Sequence, residues 1–196
     1  MMKTYAFLMA ALMLLLVGLV AVSSANSPVQ AQAQLTPTPS AYGELLDTEI
    51  RGIDPATIEG YRTGAGLGMA LPAELNGYPG PRHVLDLADE LELTSGQQTQ
   101  IEALFDDMLP QVIALGEQIL GQEAGLELAF RDGTIDEESL RDVLDIIESL
   151  KAELRFVHLR THLVTIEILT PHQVQLYNTL RGYNASMEDH SAHQGH

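Results

Sequence analysis

The sequence predicts an all-α fold, a long antiparallel helical hairpin with short flanking helices. Three observations carry that prediction. Apolar residues recur at alternating spacings of three and four through two long segments. Ile101, Phe105, Met108, Val112, Leu115 and Ile119 mark one; Leu140, Val143, Ile147, Leu150, Leu154, Val157, Thr161, Val164 and Ile168 mark the other. Such spacing is the seam of helices packed along their length. No segment alternates with period two, the signature of a half-buried strand. The phrase L-T-x-x-Q occurs twice, at Leu93–Gln97 and Leu169–Gln173, each time where one helical pattern stops and another begins.

At the start of the chain Lys3 is the only charge before Glu44, and Tyr5 to Val22 is almost wholly apolar. One basic residue, an apolar run and then small residues read as a secretory signal peptide over 1–25. Cleavage fits after Ala25 or after Ala33. The competing reading is an uncleaved N-terminal anchor, since the run approaches the roughly 20 residues of a membrane span. Either way the chain is expected to be exported to the periplasm or another extracytoplasmic space. Residues 26–41 are mostly Gln, Pro, Ser, Thr and Ala without periodicity, a flexible linker. With no cysteine, lipidation, disulfides and thiolate chemistry are excluded. Ten Lys and Arg stand against 27 Asp and Glu, a formal charge of −17. That surface repels nucleic acid and anionic lipid and favours cations or basic partners.

Residues 42–81 carry weak signals and read as a weakly structured N-terminal segment. Asp54-Pro55 is a cap followed by a proline at the first helical position, which starts a helix through Ala56, Ile58 and Tyr61. The glycines at 64, 66 and 68 follow no strand and precede no Lys-Ser/Thr, so they form a loop, not a phosphate cradle. Asn76 to Pro81 is a firm break. The helical domain spans 82–183. His83 to Leu91 forms a short amphipathic helix. Thr94 and Gln97 then make a capping box, the Thr side chain accepting from the N3 amide while the Gln reaches back to the cap amide. Pro110 should bend the long helix that follows without ending it, because the seam stays in phase across it. Asp132-Gly133 turns the chain and Asp136 caps the second long helix. Thr170 and Gln173 make the second capping box, with Pro171 at N1 and Leu169 against Val174 as a hydrophobic staple. A final helix runs to about Arg181, and 184–196 is a disordered His-rich tail. Leu159, Leu163 and Ile166 form a second apolar stripe opposite the seam, which one partner helix cannot bury; a homodimer, helped by the short helices, is expected to cover it.

Two L-T-x-x-Q phrases bracketing a helical hairpin behind a leader resemble the Spy/CpxP family, over roughly Tyr78 to Tyr183. The phrases Ala73–Leu85 and Phe156–Leu163 resemble its heavy-metal-sensor-like branch. The resemblance implies a cradle-shaped helical dimer. It also implies one of two activities: ATP-independent holding of unfolded envelope proteins, or binding of Zn, Cu, Ni or Co to sense or buffer the metal. The chaperone members use a basic concave surface, and this acidic chain departs from that pattern.

His158 and His162 stand four apart on a helix, so their imidazoles share one face and suit one metal ion. They fall between the two apolar stripes, on a strip expected to be partly shielded. His83 is the best third ligand; a glutamate such as Glu90 or Glu148, or a partner subunit, would complete the set. The bland alternative is a pair of surface or interface histidines. His190, His193 and His196 form H-x-x-H-x-x-H in the tail, an accessory metal tract of loose affinity or a solvated tail without a role. His172 is expected at the surface. Catalysis has no support: H-E-x-x-H, G-x-S-x-G, a phosphate loop and a Cys nucleophile are all missing. The expectation is a non-enzymatic exported protein that binds divalent transition metal in envelope metal or stress response. The alternatives are a holdase and, more weakly, an adaptor for a membrane sensor kinase.

Overall fold

The computed structural model describes residues 40–183. The leader, most of the linker, and the tail with His190, His193 and His196 lie outside the described residues. Within them the chain is helical and contains no strand. A 3-10 turn, Gly43–Asp47, is followed by α1 (Pro55–Thr63), α2 (Leu71–Glu74), α3 (Pro81–Asp86), α4 (Ser95–Arg131), α5 (Glu137–Ile168) and α6 (Pro171–Leu180). None of the helices described is long and apolar enough to cross a membrane.

The helix starts follow the local chemistry. Asp54 accepts from the Thr57 amide with Pro55 behind it, and Asp136 closes a box with Ser139. Thr94 with Gln97 and Thr170 with Gln173 form complete capping boxes. α4 runs through Pro110, which faces solvent, where the carbonyl left unpaired by the missing N–H is open to water. The helix expected over His83–Leu91 is shorter: α3 ends at Asp86, and turns carry the chain to Leu91, which is still buried.

α4 and α5 run in opposite directions. Gln97 reaches the Ile168 carbonyl, Met108 meets Thr161, and Glu123 pairs with Lys151 at 2.9 Å. The segment 42–81, expected to be weakly structured, instead folds onto this pair. Ile50, Ile58 and Tyr61 join Met108, Val112, Ile119, Leu120, Leu154 and Val157 in one core cluster. The close approach of α1 to α4 is allowed by Gly116, where a Cβ would overlap the Tyr61 carbonyl. A second cluster joins Val84, Leu91, Ile101, Leu169 and Tyr177 around α3 and α6.

The two L-T-x-x-Q phrases meet. Gln97 Nε2 donates to Gln173 Oε1 at 2.8 Å and to the Ile168 carbonyl at 2.9 Å. Gln173 Nε2 donates to Gln97 Oε1 at 3.1 Å and to the Leu91 carbonyl at 3.2 Å. Each glutamine therefore completes its own helix start and ties down the chain that enters the other's. The duplicated caps clasp the open end of the α4–α5 pair.

Candidate functional site

Near its C-terminus α5 keeps the seam residues Val157 and Thr161 buried but widens the buried face beyond the seam, and the seam lapses at Val164. Val164 is exposed, whereas His158, Thr161, His162 and Thr165 are buried. The strip expected to be partly shielded is thus buried at His158 and His162, where α2 and α3 pack on α5. The two threonine hydroxyls donate to carbonyls of the helix itself, Thr161 to His158 and Thr165 to Thr161, both at 2.7 Å. That internal bonding is how a helix buries hydroxyls with little help from outside it.

The residue that organises this region is Glu74, at the end of α2 and only 5% exposed. Its Oε1 accepts from the Tyr177 hydroxyl, lies 3.3 Å from the Tyr183 hydroxyl and 3.2 Å from His83 Nδ1, and pairs with Arg181 Nε at 3.6 Å. Burial first, and then the Glu74 carboxylate, push the Tyr177 phenol far up, so it remains a donor. Glu74 Oε2 is different. It is buried without a hydrogen-bond partner and sits 3.6 Å from His162 Nδ1.

The histidines have distinct surroundings. His162 Nδ1 lies 2.7 Å from the Tyr78 carbonyl. A carbonyl only accepts, so Nδ1 carries a proton, and a neutral ring in this orientation has its lone pair on Nε2. The ring's Cε1–Nε2 edge lies over Gly80, where a Cβ would stand 2.9 Å from Cε1. His158 Nε2 is buried without a partner. Burial, and then the neighbouring His162, hold its pKa below the usual histidine range.

His83, His158 and His162 line one cavity of about 490 Å³ together with Glu74, Gly80 and Met108. The 63–71 loop and the side chains of Phe105 and Leu109 form its apolar wall. The three histidines expected to act together are therefore brought together. The carboxylate among them is Glu74, not Glu90 or Glu148, both of which are exposed and outside the cavity lining. Glu74 has no periodic signal, because α2 is a four-residue helix. Its sole sequence mark is its place nine residues before His83, across a Gly- and Pro-rich break. His172 is exposed, as expected. As placed, no three His, Asp or Glu side chains among the described residues converge closely enough to hold an ion at ligand distance.

The donor set nonetheless suits a borderline transition metal: imidazole nitrogens and a carboxylate oxygen, with the Met108 thioether beside them. Two of those atoms, Glu74 Oε2 and His158 Nε2, are buried without partners, and such orphans cost free energy unless something meets them. The hydrogen bond from His162 Nδ1 to a backbone carbonyl is the outer contact that fixes a ligating imidazole. Comparison with protein-family models, curated proteins and solved structures returns no match to this chain.

Proposed function

We propose that this is an exported, non-enzymatic helical protein of the Spy/CpxP type that binds divalent transition metal in an envelope metal or stress response. In this reading α4 and α5 form the hairpin of a cradle that works as a homodimer. His158, His162 and Glu74 would hold the ion, with His83 beside them, and the metal would supply charge and crosslinking rather than catalysis. The observation that carries the reading is that His83, His158 and His162 share a cavity with a buried carboxylate whose Oε2 has no partner. Side-chain rotation toward a cation would satisfy both orphaned atoms.

Calorimetric titration with Zn, Cu, Ni and Co tests it. His158→Ala/His162→Ala is expected to weaken binding at least about tenfold, the usual scale for loss of metal-site ligands or their supports. Unchanged affinity in that variant would sink the assigned site, and removal of residues 184–196 separates it from the tail histidines. A second reading, the holdase, draws on Phe156 and Leu163, which leave 55% and 54% of their surface exposed on one side of α5. Suppression of aggregation of an unfolding client, with and without metal, tests that reading. Protection of nothing in either condition ends it.

A further inference from the structure

Glu74 Oε2 and His158 Nε2 are sealed from solvent, so nothing dissolved reaches them until part of the chain moves. Residues 66–78 roof the cavity beside them, lining it with the 66–68 turn, Ala70, Leu71 and Glu74. The backbone of this segment bonds to itself. The Met69 amide donates to the Gly66 carbonyl, Leu71 to Gly68, Ala73 and Glu74 to Ala70, and Tyr78 to Ala73. Among the described residues, no backbone bond ties 66–78 to α4 or α5. The segment can therefore leave the helix pair without breaking a ladder.

Its side chains hold it in an unusual way. Leu67, Leu71 and Leu75 are exposed, Met69 is half-buried against the core that α1 joins, and the one buried side chain is that of Glu74. The attachments are polar. Glu74 Oε1 receives Tyr177, Tyr183, His83 and Arg181, and the Tyr78 carbonyl accepts from His162 Nδ1 at 2.7 Å. The chain just outside is pinned, since Tyr61 before it and Pro79 after it are buried. Gly64, at φ 70°, stands at the near joint in a conformation that suits glycine, and Gly80 stands at the far one. A unit with so little buried apolar surface opens at a lower cost than the whole fold. The cavity of about 490 Å³ beneath it leaves its inner side short of packing partners. Lifting it also returns the Glu74 carboxylate to water, which offsets part of the bonding lost.

We propose that residues 66–78 form a lid that lifts as a unit from α4 and α5. Its latches are Glu74 and the bond from His162 to Tyr78, and lifting it is the way in to the His158–His162 face. The lid holds whatever the site binds, so it does not rest on the metal reading.

The chain has no cysteine, so one introduced thiol reports access without background. Met108→Cys puts it in the lining under the lid, whereas Ile119→Cys puts it on the same helix, buried and outside that cavity. The experiment is thiol labelling of the full chain with a chelator present, each rate taken relative to that of the denatured chain. Met108→Cys is expected to label at least about tenfold faster than Ile119→Cys, with a shallow urea dependence because little surface opens. Ile119→Cys should label only through global unfolding, with a steep dependence. Adding Glu74→Ala to Met108→Cys should speed labelling by about tenfold or more, the scale of charged hydrogen bonds removed. Equal rates and equally steep urea dependence at the two positions would overturn the lid, and that comparison decides the matter if Glu74→Ala fails to fold. Labelling of Met108→Cys as fast as in the denatured chain would mean that the cavity already stands open, and would overturn it too. An unchanged rate in a folded Glu74→Ala protein would do the same by removing the latch.

Discussion

The two ends of the α4–α5 pair show equally clean helical periodicity and have opposite fates. At the end where α4 begins and α5 stops, Ile101, Met108, Leu154, Val157, Thr161 and Thr165 are buried. At the turn end, from Gly121 through Ile146, no residue is buried, and Leu128, Phe130, Leu144 and Ile146 are exposed. The seam residues Leu140 and Val143 keep the register of Leu154 and Val157 but are only half-buried. Two helices alone cannot enclose their apolar faces; a third layer must close over them. At the buried end that layer is α1, α3, α6 and the loops between them. A heptad pattern reports that helices pair. It does not report where along the pair water is excluded, and the polar site lies at the more enclosed end.

This contrast should be widest for aromatic truncations. Tyr177 is fully buried and its hydroxyl satisfies Glu74, so Tyr177→Ala should cost about 3–5 kcal/mol from cavity formation and lost bonding. Phe130→Ala, at an exposed position of the turn end, should stay within about 0.5 kcal/mol. Urea unfolding of both variants checks the pair, and similar losses would mean that the turn end is as closely enclosed as the other.

The caps sharpen the comparison. Gln97→Ala and Gln173→Ala each remove a box and the bonds between boxes, at about 1–3 kcal/mol apiece. Because the two side chains share hydrogen bonds, the double variant should be less destabilised than the sum, by roughly 0.5 kcal/mol or more. Ser139→Ala removes the box at the turn end, which bonds only to Asp136, and should cost about 0.5–1 kcal/mol. A double-mutant cycle with strict additivity would dissolve the clasp.

A smaller effect follows from His158. Its folded pKa lies below the ordinary histidine value of 6.5 because of burial and then His162. Between that depressed value and 6.5 the unfolded chain binds a proton that the folded chain refuses. This contribution to stability is therefore complete above pH 6.5 and declines as the pH falls through the window below it. Denaturation of metal-free protein across that range should show the decline, and His158→Gln should flatten it. An unchanged pH profile in a folded His158→Gln protein would assign the slope to other groups.

The difference between the ends also explains what was legible. Helix starts depend on neighbours within one turn, so Asp54, Thr94, Asp136 and Thr170 declare themselves in the sequence. His158 and His162 are legible as a pair because helical geometry alone puts them on one face, and His83 lies close in the fold although far along the chain. The burial of Thr165 in place of Val164 is not local. It follows from where α2 and α3 lie, which the α5 pattern does not encode. Glu74 and Gly80 escape for the same reason: each acquires its role from chain that returns to it, Tyr177 and Arg181 for one and His162 for the other. Gly116 is equally silent until Tyr61 arrives against it.

The smallest effects should come from Leu144→Ala and Ile146→Ala. Both side chains are large and apolar, and truncation at a buried position would cost several kcal/mol, but both flank the seam. Their exposure of 42% and 47% argues for changes within about 0.5 kcal/mol. Measuring both across a wide range of protein concentration makes the comparison stricter. A loss that grows with concentration would place a second copy over the turn end. A loss near zero at every concentration keeps that end open, and directs the search for the homodimer contact to Phe156 and Leu163, farther along α5.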